Sequence, residues 1–348
     1  MTVNFKMWKT ALWGLVKMEK KEEWDRLDAI SKWLIATRSA VTIVTLYACV
    51  IGGLLAWRDA YFAWLPWIIV TLGLFIAHGT NNFLNDYTDF SRGIDKDNYF
   101  RTQYGVHPLV QGFWSKRQQL TWFFVSGVLA FLSGVYALFY TDFSPLIIGL
   151  FAFGALVLIL YTWPLKYLAL GELCIFLIWG PVLVAGVYSV LARGWTANTW
   201  MVALAGVPFG LSVVSINLGK HIDKAAQDSQ KSVGTLPVRL GEKAGRYLNM
   251  AVLVLIYAVI LYLIFVPHFF TPVMLIVFIA GKRLFYAVAV HAKPRPTEPP
   301  KEWPGWPTWF SGFTFYHNRL FENLFILGLL ADTLLRIFVP NFWHYPIS

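Results

Sequence analysis

The feature that most limits the fold of this sequence is a series of long apolar runs separated by polar segments. The chain has 348 residues, of which 57% are hydrophobic and only 14% are charged. A helix needs about 20 apolar residues to cross the hydrocarbon core of a bilayer, and in lipid the chain must satisfy its own backbone polar groups. The sequence therefore predicts an all-α membrane protein that crosses the bilayer several times.

We predict nine transmembrane helices from these runs, joined in one bundle. Two long polar loops, 86–119 and 220–247, follow the second and sixth helices and are expected to form a cap over one end of the bundle. The remaining connections are shorter or less charged. The predicted spans are 33–57, 61–84, 120–140, 144–163, 168–191, 198–219, 248–267, 269–290 and 320–340.

Lysine and arginine are distributed unequally between the two sides of the predicted bundle. Of 29 such residues, only Arg58, Arg193 and Arg336 lie toward the side with the short connections. Because cytoplasmic loops carry the excess of positive charge, we place the N-terminus and the long loops in the cytoplasm and the C-terminus outside. The expected location is the inner membrane of a prokaryotic cell. The net charge of +10 then reflects topology and attraction to anionic lipid, and we expect no nucleic-acid partner.

The chain is expected to contain a single transmembrane domain with short extensions. Residues 1–32 are charged, but Trp8, Leu12 and Val16 share one helical face, a pattern typical of an amphipathic helix at the membrane surface. Residues 33–340 form the predicted domain, and 341–348 form a short extracytoplasmic tail.

The second predicted span ends in a cluster of acids and amides, NNFLNDYTDFSRGID. Asn82 and Asp86 are four residues apart, as are Asn85 and Asp89, so these side chains line one broad face of a helix. Carboxylates brought together without cations repel one another, and a divalent metal would remove that conflict. The candidate residues of this first motif are Asn82, Asn85, Asp86, Asp89 and Asp95.

The sixth predicted span ends in a second cluster that mixes oxygen ligands with basic groups, INLGKHIDKAAQDSQK. Placed alone, either cluster is a weak signal, because an acid at a membrane surface is often only a solvated helix end. Two such endings on the same side of one bundle are a stronger indication of a shared site. The candidate residues of this second motif are Asn217, Lys220, His221, Asp223, Asp228 and Lys231.

Acids for a metal and bases for phosphate, at the mouth of an apolar bundle, indicate a ligand with a diphosphate head and a hydrocarbon tail. Mg²⁺ is commonly held by one or two carboxylates together with phosphate oxygens. A polyprenyl diphosphate has this chemistry, and loss of its diphosphate leaves an allylic carbocation that a dry, aromatic cavity would protect. The predicted catalytic and metal-binding residues are Asp86, Asp89, Asp223 and Asp228.

Further basic residues are candidates for the same site, among them Arg239, which is also a possible membrane anchor. Lys166 and Arg38 lie at predicted cytoplasmic helix ends and are candidates to bind the diphosphate, although either is also a possible membrane anchor. His78 lies one turn before Asn82 on the same helical face, where contact with a substrate and a purely structural role both remain open.

These motifs resemble those of the UbiA superfamily of intramembrane prenyltransferases, whose two aspartate-rich motifs follow the second and sixth of nine helices. NDYTDFSRGID resembles the first motif, with Asn85, Asp86 and Asp89 at its leading positions. KHIDKAAQDSQKSVGTLPVRLG resembles the second motif, and YTWPLKYLALGELCIFLIWGPVLVAG, with Lys166 and Glu172, resembles the family's fourth connection and fifth helix. TRSAVTIV, which contains Arg38, resembles the family's opening segment.

The resemblance implies an Mg²⁺-dependent prenyltransferase that joins a polyprenyl group to an aromatic acceptor. Asp95 follows Asp89 by six residues, a spacing similar to the menaquinone branch that prenylates dihydroxynaphthoate, so quinone biosynthesis is the implied pathway. The second motif departs from the family pattern, because His221 stands where an Asp is usual and five residues separate Asp223 from Asp228. His107 also replaces a usual Arg. These departures leave the acceptor open.

Two other functions remain open from the sequence. A terpene cyclase of the same family would trap the cation with the substrate's own double bonds and would need no aromatic acceptor. A membrane cation transporter would also use acids within its bundle, but these are expected near the bilayer midplane rather than at helix ends.

Overall fold

The structure is a computed structural model that describes residues 3–14, 16–95, 100, 105–301, 303, 305–340 and 342–343. All regular secondary structure in these ranges is helical, which confirms the predicted all-α class. The predicted tail 341–348 lies outside the described residues except for its positions 342 and 343. The helices are α1 (Phe5–Trp13), α2 (Lys21–Asp25), α3 (Ala29–Ala36), α4 (Ser39–Arg58), α5 (Trp64–Ser91), α6 (Lys116–Tyr140), α7 (Pro145–Leu160), α8 (Gly171–Leu191), α9 (Thr199–Asp223), α10 (Ala225–Gln230), α11 (Leu236–Leu240), α12 (Glu242–Phe265), α13 (Pro272–His291) and α14 (Phe310–Phe338).

Seven of the described helices are long and apolar enough to cross a bilayer, namely α4, α5, α6, α8, α9, α12 and α13. The other two predicted spans correspond to α7, which is apolar but shorter, and to α14, which carries Arg319, Glu322, Asp332 and Arg336. Asp332 accepts a hydrogen bond from the backbone of Thr271, so part of this charge is satisfied inside the bundle.

Several predicted boundaries were wrong because hydropathy follows lipid exposure rather than helix length. α5 continues to Ser91 and α9 continues to Asp223, so Asp86, Asp89 and Asp223 lie on the helices themselves. α14 begins ten residues before the predicted start at 320. The first predicted span is in fact divided, because Arg38 adopts a left-handed conformation (φ 58°) between α3 and α4.

The first three helices pack into a hydrophobic cluster beside the C-terminal end of α5. The ring of Trp24, almost fully buried, stacks on Phe113 with 5.5 Å between centroids and meets Trp114 at 5.3 Å. The indole of Trp8 donates a hydrogen bond of 3.0 Å to Asp28. The N-terminal segment is therefore part of the folded structure that surrounds the first motif.

A kink in α8 shapes the centre of the bundle. The helix contains a π-helical segment from Ile178 to Val182 with non-helical backbone angles at Gly180, directly before Pro181. Pro lacks the N–H that would continue the helical ladder, which accounts for the kink. At this point α8 touches α9 so closely that a Cβ atom added to Gly210 would lie 2.7 Å from the Cα atom of Gly180. The kink also turns Trp179 toward the interior.

We expect Gly210→Ala to separate α8 from α9, because its methyl group would overlap both Gly180 and the carbonyl oxygen of Phe176. Overpacking of this kind costs about 1–3 kcal/mol and should lower the apparent midpoint of thermal unfolding by about 3 °C or more. Gly149→Ala is the matched control, since nothing lies within 4 Å of its added Cβ atom. Equal midpoints for the two variants would contradict this packing.

Candidate active site

A large cavity lies inside the bundle, below the helix ends that carry the two motifs. Its volume is about 1090 Å³, and its wall is mostly apolar, with contributions from α4 to α9 and from α14. This volume is large enough for an extended hydrocarbon chain together with a ring system. The polar residues that line it at the helix ends carrying the motifs include Arg38, Asn82, Asn85, Asn217 and Lys220.

Two ion pairs hold the carboxylates of the first motif. A terminal guanidinium nitrogen of Arg38 lies 3.1 Å from Asp86 Oδ1, and Lys166 Nζ donates a hydrogen bond of 2.9 Å to Asp89 Oδ2. Both aspartates are buried. Because a buried carboxylate is stable only when it is paired, these contacts fix the position of the motif beside the cavity.

The lysine of the second ion pair remains protonated despite its burial. Burial lowers the pKa of Lys166, but the charge of Asp89 and the hydrogen bond to it outweigh that effect, so the pKa is raised above its ordinary value. Lys166 is therefore a permanent cation at the end of the short helical turn Leu165–Leu168.

The second motif reaches the same region. Lys220, near the end of α9, experiences the charges of Lys224, Arg38, Lys166 and Asp228. Lys224 Nζ lies 3.4 Å from a carboxylate oxygen of Asp228. The structure therefore brings cations from three separate parts of the chain and acids from both motifs into one electrostatic neighbourhood.

A contact joins the two loops that carry the motifs, and another lies beside it within the first loop. Lys231 Nζ donates a short hydrogen bond to the carbonyl oxygen of Ile94, so the second loop is bound to the first. The adjacent Asp95 accepts a hydrogen bond of 2.9 Å from His107 Nε2 within the first loop, and both side chains are buried. Lys231, predicted as a substrate-binding residue, thus lies in the contact between the loops, and Asp95, predicted for the same role, lies next to that contact.

Asp223 occupies a different environment from the other acids. Its two oxygens accept hydrogen bonds from the backbone N–H groups of Trp309, Phe310 and Ser311 and from the Ser311 hydroxyl, at 2.8–3.1 Å. These groups form the N-terminus of α14, where a carboxylate is favoured by the unsatisfied N–H groups and by the helix dipole. Arg295 Nε lies 3.9 Å away. Asp223 therefore joins α9 to α14.

His221 forms a buried pair with an acid that the cluster analysis did not single out. Its Nδ1 atom lies 2.6 Å from Glu172 Oε1, which also accepts a hydrogen bond from the backbone of Leu236. These contacts join α8, α9 and α11. The only sequence signal for Glu172 was its position in the segment that resembles the family's fifth helix.

The amide side chains of the motifs differ in their contacts: one is hydrogen-bonded within the protein, and others line the cavity. Asn82 donates a hydrogen bond of 2.7 Å to the carbonyl oxygen of Thr37, next to the break at Arg38. Asn85 lines the cavity. Asn217 Oδ1 and Asp89 Oδ1 are buried and have no hydrogen-bond partner among the residues that the structure describes. Each is an oxygen atom whose burial is costly unless a ligand contacts it.

Within the described part of the chain, no three His, Cys, Asp or Glu side chains converge to form a complete metal site. This arrangement suits Mg²⁺, which keeps several waters and is often held by only one or two protein carboxylates together with phosphate oxygens. The orphaned oxygen of Asp89 is a suitable hard ligand for such an ion.

Comparison with known families decides the class of protein that contains this site. The model of the UbiA prenyltransferase family matches residues 46–316, which include both motifs and most of the bundle. The chain belongs to the UbiA prenyltransferase family. It is therefore a prenyltransferase, as the motifs predicted.

Curated members of the UbiA family show similarity over much of the chain. A 1,4-dihydroxy-2-naphthoate octaprenyltransferase of Haemophilus influenzae is 26% identical over 231 residues, which cover 63% of this chain and 72% of the relative. The enzyme of the same name from Escherichia coli is 24% identical over 230 residues, covering 64% and 73%. UbiA prenyltransferase domain-containing protein 1 of Xenopus tropicalis is 27% identical over 214 residues, covering 60% and 59%.

Solved structures confirm a UbiA-like fold. A UbiA homolog from Archaeoglobus fulgidus, bound to GPP and Mg²⁺, has a TM-score of 0.54 at 12% identity and covers 84% of this chain and 99% of its own. A digeranylgeranylglyceryl phosphate synthase has a TM-score of 0.56 at 19% identity, covering 88% and 98%. The arrangement of helices is thus shared despite low sequence identity.

We expect Asp223→Ala to act mainly on stability, because it removes the cap of α14 and leaves Arg295 without its carboxylate. Loss of a helix cap costs about 0.5–2 kcal/mol, and the free energy of unfolding should fall by at least this amount. Asp25→Ala, at an exposed position on α2, is the control and should change little. A thermal unfolding midpoint of Asp223→Ala equal to that of Asp25→Ala would show that the cap does not stabilise the protein.

Proposed function

We propose that this UbiA family member transfers a polyprenyl group from a polyprenyl diphosphate to an aromatic acceptor, with Mg²⁺, through an allylic carbocation. The observation that carries the proposal is the pair of buried ion pairs, Arg38 with Asp86 and Lys166 with Asp89, at the mouth of a large apolar cavity. Cations and acids at the mouth suit a metal-bound diphosphate, and the apolar wall suits a hydrocarbon chain.

In this proposal Asp86, Asp89 and Asp228 hold the metal. The orphaned oxygen of Asp89 and the amide oxygen of Asn217 supply buried oxygen atoms that need a ligand. We predicted Asp223 as a fourth ligand, but its oxygens already accept four hydrogen bonds, so the proposal gives Asp223 the task of positioning α14.

The basic residues bind the diphosphate. Arg38, Lys166 and Lys220 share one electrostatic neighbourhood and supply charge-assisted hydrogen bonds to phosphate oxygens. Mg²⁺, when bound, supplies further positive charge that stabilises the departing diphosphate. Asn85, which lines the cavity, contacts the substrate beside the metal, while Asn82, Asp95, His221 and Lys231 maintain the shape of the site through the contacts described above.

The chemical step separates charge and then forms a carbon–carbon bond. The bond between C1 of the prenyl chain and the diphosphate oxygen breaks, and its electron pair leaves with the diphosphate. The apolar wall excludes water, and the ring of Trp179 offers a π face to the allylic cation. An aromatic ring carbon then donates a π pair to C1 and regains aromaticity by losing a proton, or CO₂ where that carbon bears a carboxylate.

The acceptor that we propose is a 1,4-dihydroxy-2-naphthoate, which places the chain in menaquinone-type quinone biosynthesis. This choice is supported by relatives that carry the name 1,4-dihydroxy-2-naphthoate octaprenyltransferase and by the wide spacing between Asp89 and Asp95. The choice of a prenyl diphosphate and Mg²⁺ as ligands is supported by the structure of the Archaeoglobus fulgidus homolog bound to GPP and Mg²⁺.

We also propose the membrane arrangement. α7 and α14 cross the bilayer together with the seven longer apolar helices, which gives nine spans in one domain over 33–340, capped on the cytoplasmic side by the loops 86–119 and 220–247. Residues 1–32 lie at the cytoplasmic surface of a prokaryotic inner membrane, and 341–348 lie outside. The excess of lysine and arginine on one side supports this orientation.

The experiment is to incubate the purified protein with Mg²⁺, labelled prenyl diphosphates and a panel of aromatic acceptors that includes 1,4-dihydroxy-2-naphthoate. We expect diphosphate release that depends on the acceptor, together with a prenylated aromatic product. Release without any acceptor, accompanied by a cyclic hydrocarbon, would instead identify a terpene cyclase. No turnover of any prenyl donor would refute both activities.

We expect Asp89→Ala and Asp228→Ala each to reduce the rate of prenyl transfer by about 100-fold or more, because each removes charge that binds the metal and the departing diphosphate. Each variant also leaves a lysine without its carboxylate, Lys166 or Lys224, and should lower the unfolding midpoint, so activity is compared at a temperature at which every variant is folded. Asp25→Ala should retain full activity. Activity retained by Asp89→Ala or Asp228→Ala would remove that aspartate from the proposed site.

A further inference from the structure

Three polar side chains line the cavity below the diphosphate site. Thr45 of α4, His78 of α5 and Trp179 of α8 all contribute to its wall. His78 lies two helical turns, about 12 Å along the helix axis, before Asp86. Most of the cavity wall is apolar, so three polar side chains that contact one another here require a reason.

The three side chains form one hydrogen-bonded chain. The indole Nε1–H of Trp179 donates to Thr45 Oγ1 at 2.9 Å, and Thr45 Oγ1 lies 2.8 Å from His78 Nδ1. The rings of His78 and Trp179 are also in contact, with 4.7 Å between centroids. The kink at Gly180 and Pro181 places Trp179 where it can complete this chain.

The direction of these hydrogen bonds fixes the tautomer of His78. An indole N–H can only donate, so Thr45 accepts from Trp179. The structure gives the Thr45 hydroxyl no other acceptor among the residues it describes, so its O–H donates to His78 Nδ1. A neutral imidazole that accepts at Nδ1 carries its proton on Nε2. His78 therefore offers an N–H donor, and no free lone pair, to a ligand in the cavity.

A prenyl tail has no atom that can accept this hydrogen bond, and a donor left unpaired against hydrocarbon is unfavourable. In the proposed function the diphosphate binds about two turns higher, beside Asp86 and Lys166. The remaining ligand of the proposed reaction is the aromatic acceptor, whose ring must lie next to C1 of the prenyl chain, just below the diphosphate.

We propose that Thr45, His78 and Trp179 form an oxygen-binding subsite for the aromatic acceptor, in which His78 Nε2–H donates a hydrogen bond to a ring hydroxyl or carboxylate oxygen. This inference rests on the proposed function. It gives His78 the task of binding and orienting the acceptor, and it excludes His78 as the base that removes a proton from the ring, because its Nδ1 lone pair is occupied by Thr45.

The test compares His78→Phe with His78→Gln, with both substrates varied separately in the turnover assay. His78→Phe removes the donor and should raise the KM for the hydroxylated acceptor by about tenfold or more, while the KM for the prenyl diphosphate stays within about twofold. His78→Gln places an amide N–H₂ near the position of Nε2 and should keep the acceptor KM within about threefold of the wild-type value.

A second pair of variants tests the tautomer. Thr45→Val removes the hydroxyl that occupies His78 Nδ1, and it should raise the acceptor KM by about fivefold or more, whereas Thr45→Ser keeps the hydroxyl and should resemble the wild type. This pair changes little volume, so it remains informative if His78→Phe fails to fold.

Three results would overturn the subsite: an unchanged acceptor KM in His78→Phe, equal acceptor KM values for His78→Phe and His78→Gln, or equal values for Thr45→Val and Thr45→Ser. In each case the wild type still transfers the prenyl group. A wild-type protein that neither binds nor prenylates any aromatic acceptor would instead refute the proposed function itself. The two failures are therefore distinguishable in one set of measurements.

Discussion

The need to pair buried carboxylates at the membrane surface determines the architecture of this protein. Asp86 and Asp89 are buried at the end of α5. Each is stable there only because it forms an ion pair with a cation from another part of the chain. Arg38 comes from the break that divides α3 from α4, and Lys166 comes from the turn before α8. The two ion pairs thus hold three segments around the mouth of one cavity, and they leave one buried oxygen of Asp89 without a hydrogen-bond partner among the described residues.

The second motif completes the mouth in a different way. Asp223 stabilises the start of α14, and Arg295 lies beside it and stacks on Trp306, whose side chain lines the cavity. Lys231 fastens the second loop to Ile94 of the first. The two motifs are therefore not equivalent. In our proposal the first binds the metal through both of its leading acids, whereas the second contributes Asp228 and Lys220 and uses Asp223 to hold the start of α14.

Much of this arrangement could be predicted from the sequence because hydropathy and local spacing are short-range properties. The apolar runs predicted the helices, and the four-residue spacings placed Asn85 and Asp89 on one face. The break at Arg38 escaped prediction because a single left-handed residue leaves the hydropathy of the run unchanged.

The partners of the polar residues could not be predicted, since they depend on which helices are neighbours. Asp223 lies more than 80 residues from the N-terminus of α14, and Glu172 lies 49 residues from His221. The chain of Trp179, Thr45 and His78 similarly requires three separate helices and the kink in α8. An isolated histidine in an apolar run gives no sign of such neighbours.

We propose that the acids at the mouth bind a prenyl diphosphate through Mg²⁺, and the rest of the site depends on this contact. The most direct measurement is the affinity for an unreactive prenyl thiolodiphosphate, titrated by calorimetry into purified protein with Mg²⁺ and again with a chelator. We expect Mg²⁺ to tighten binding of the analogue by about 100-fold or more in the wild type. Asp89→Asn should lose most of this gain in affinity. Equal affinity with and without Mg²⁺ in the wild type would contradict this proposal.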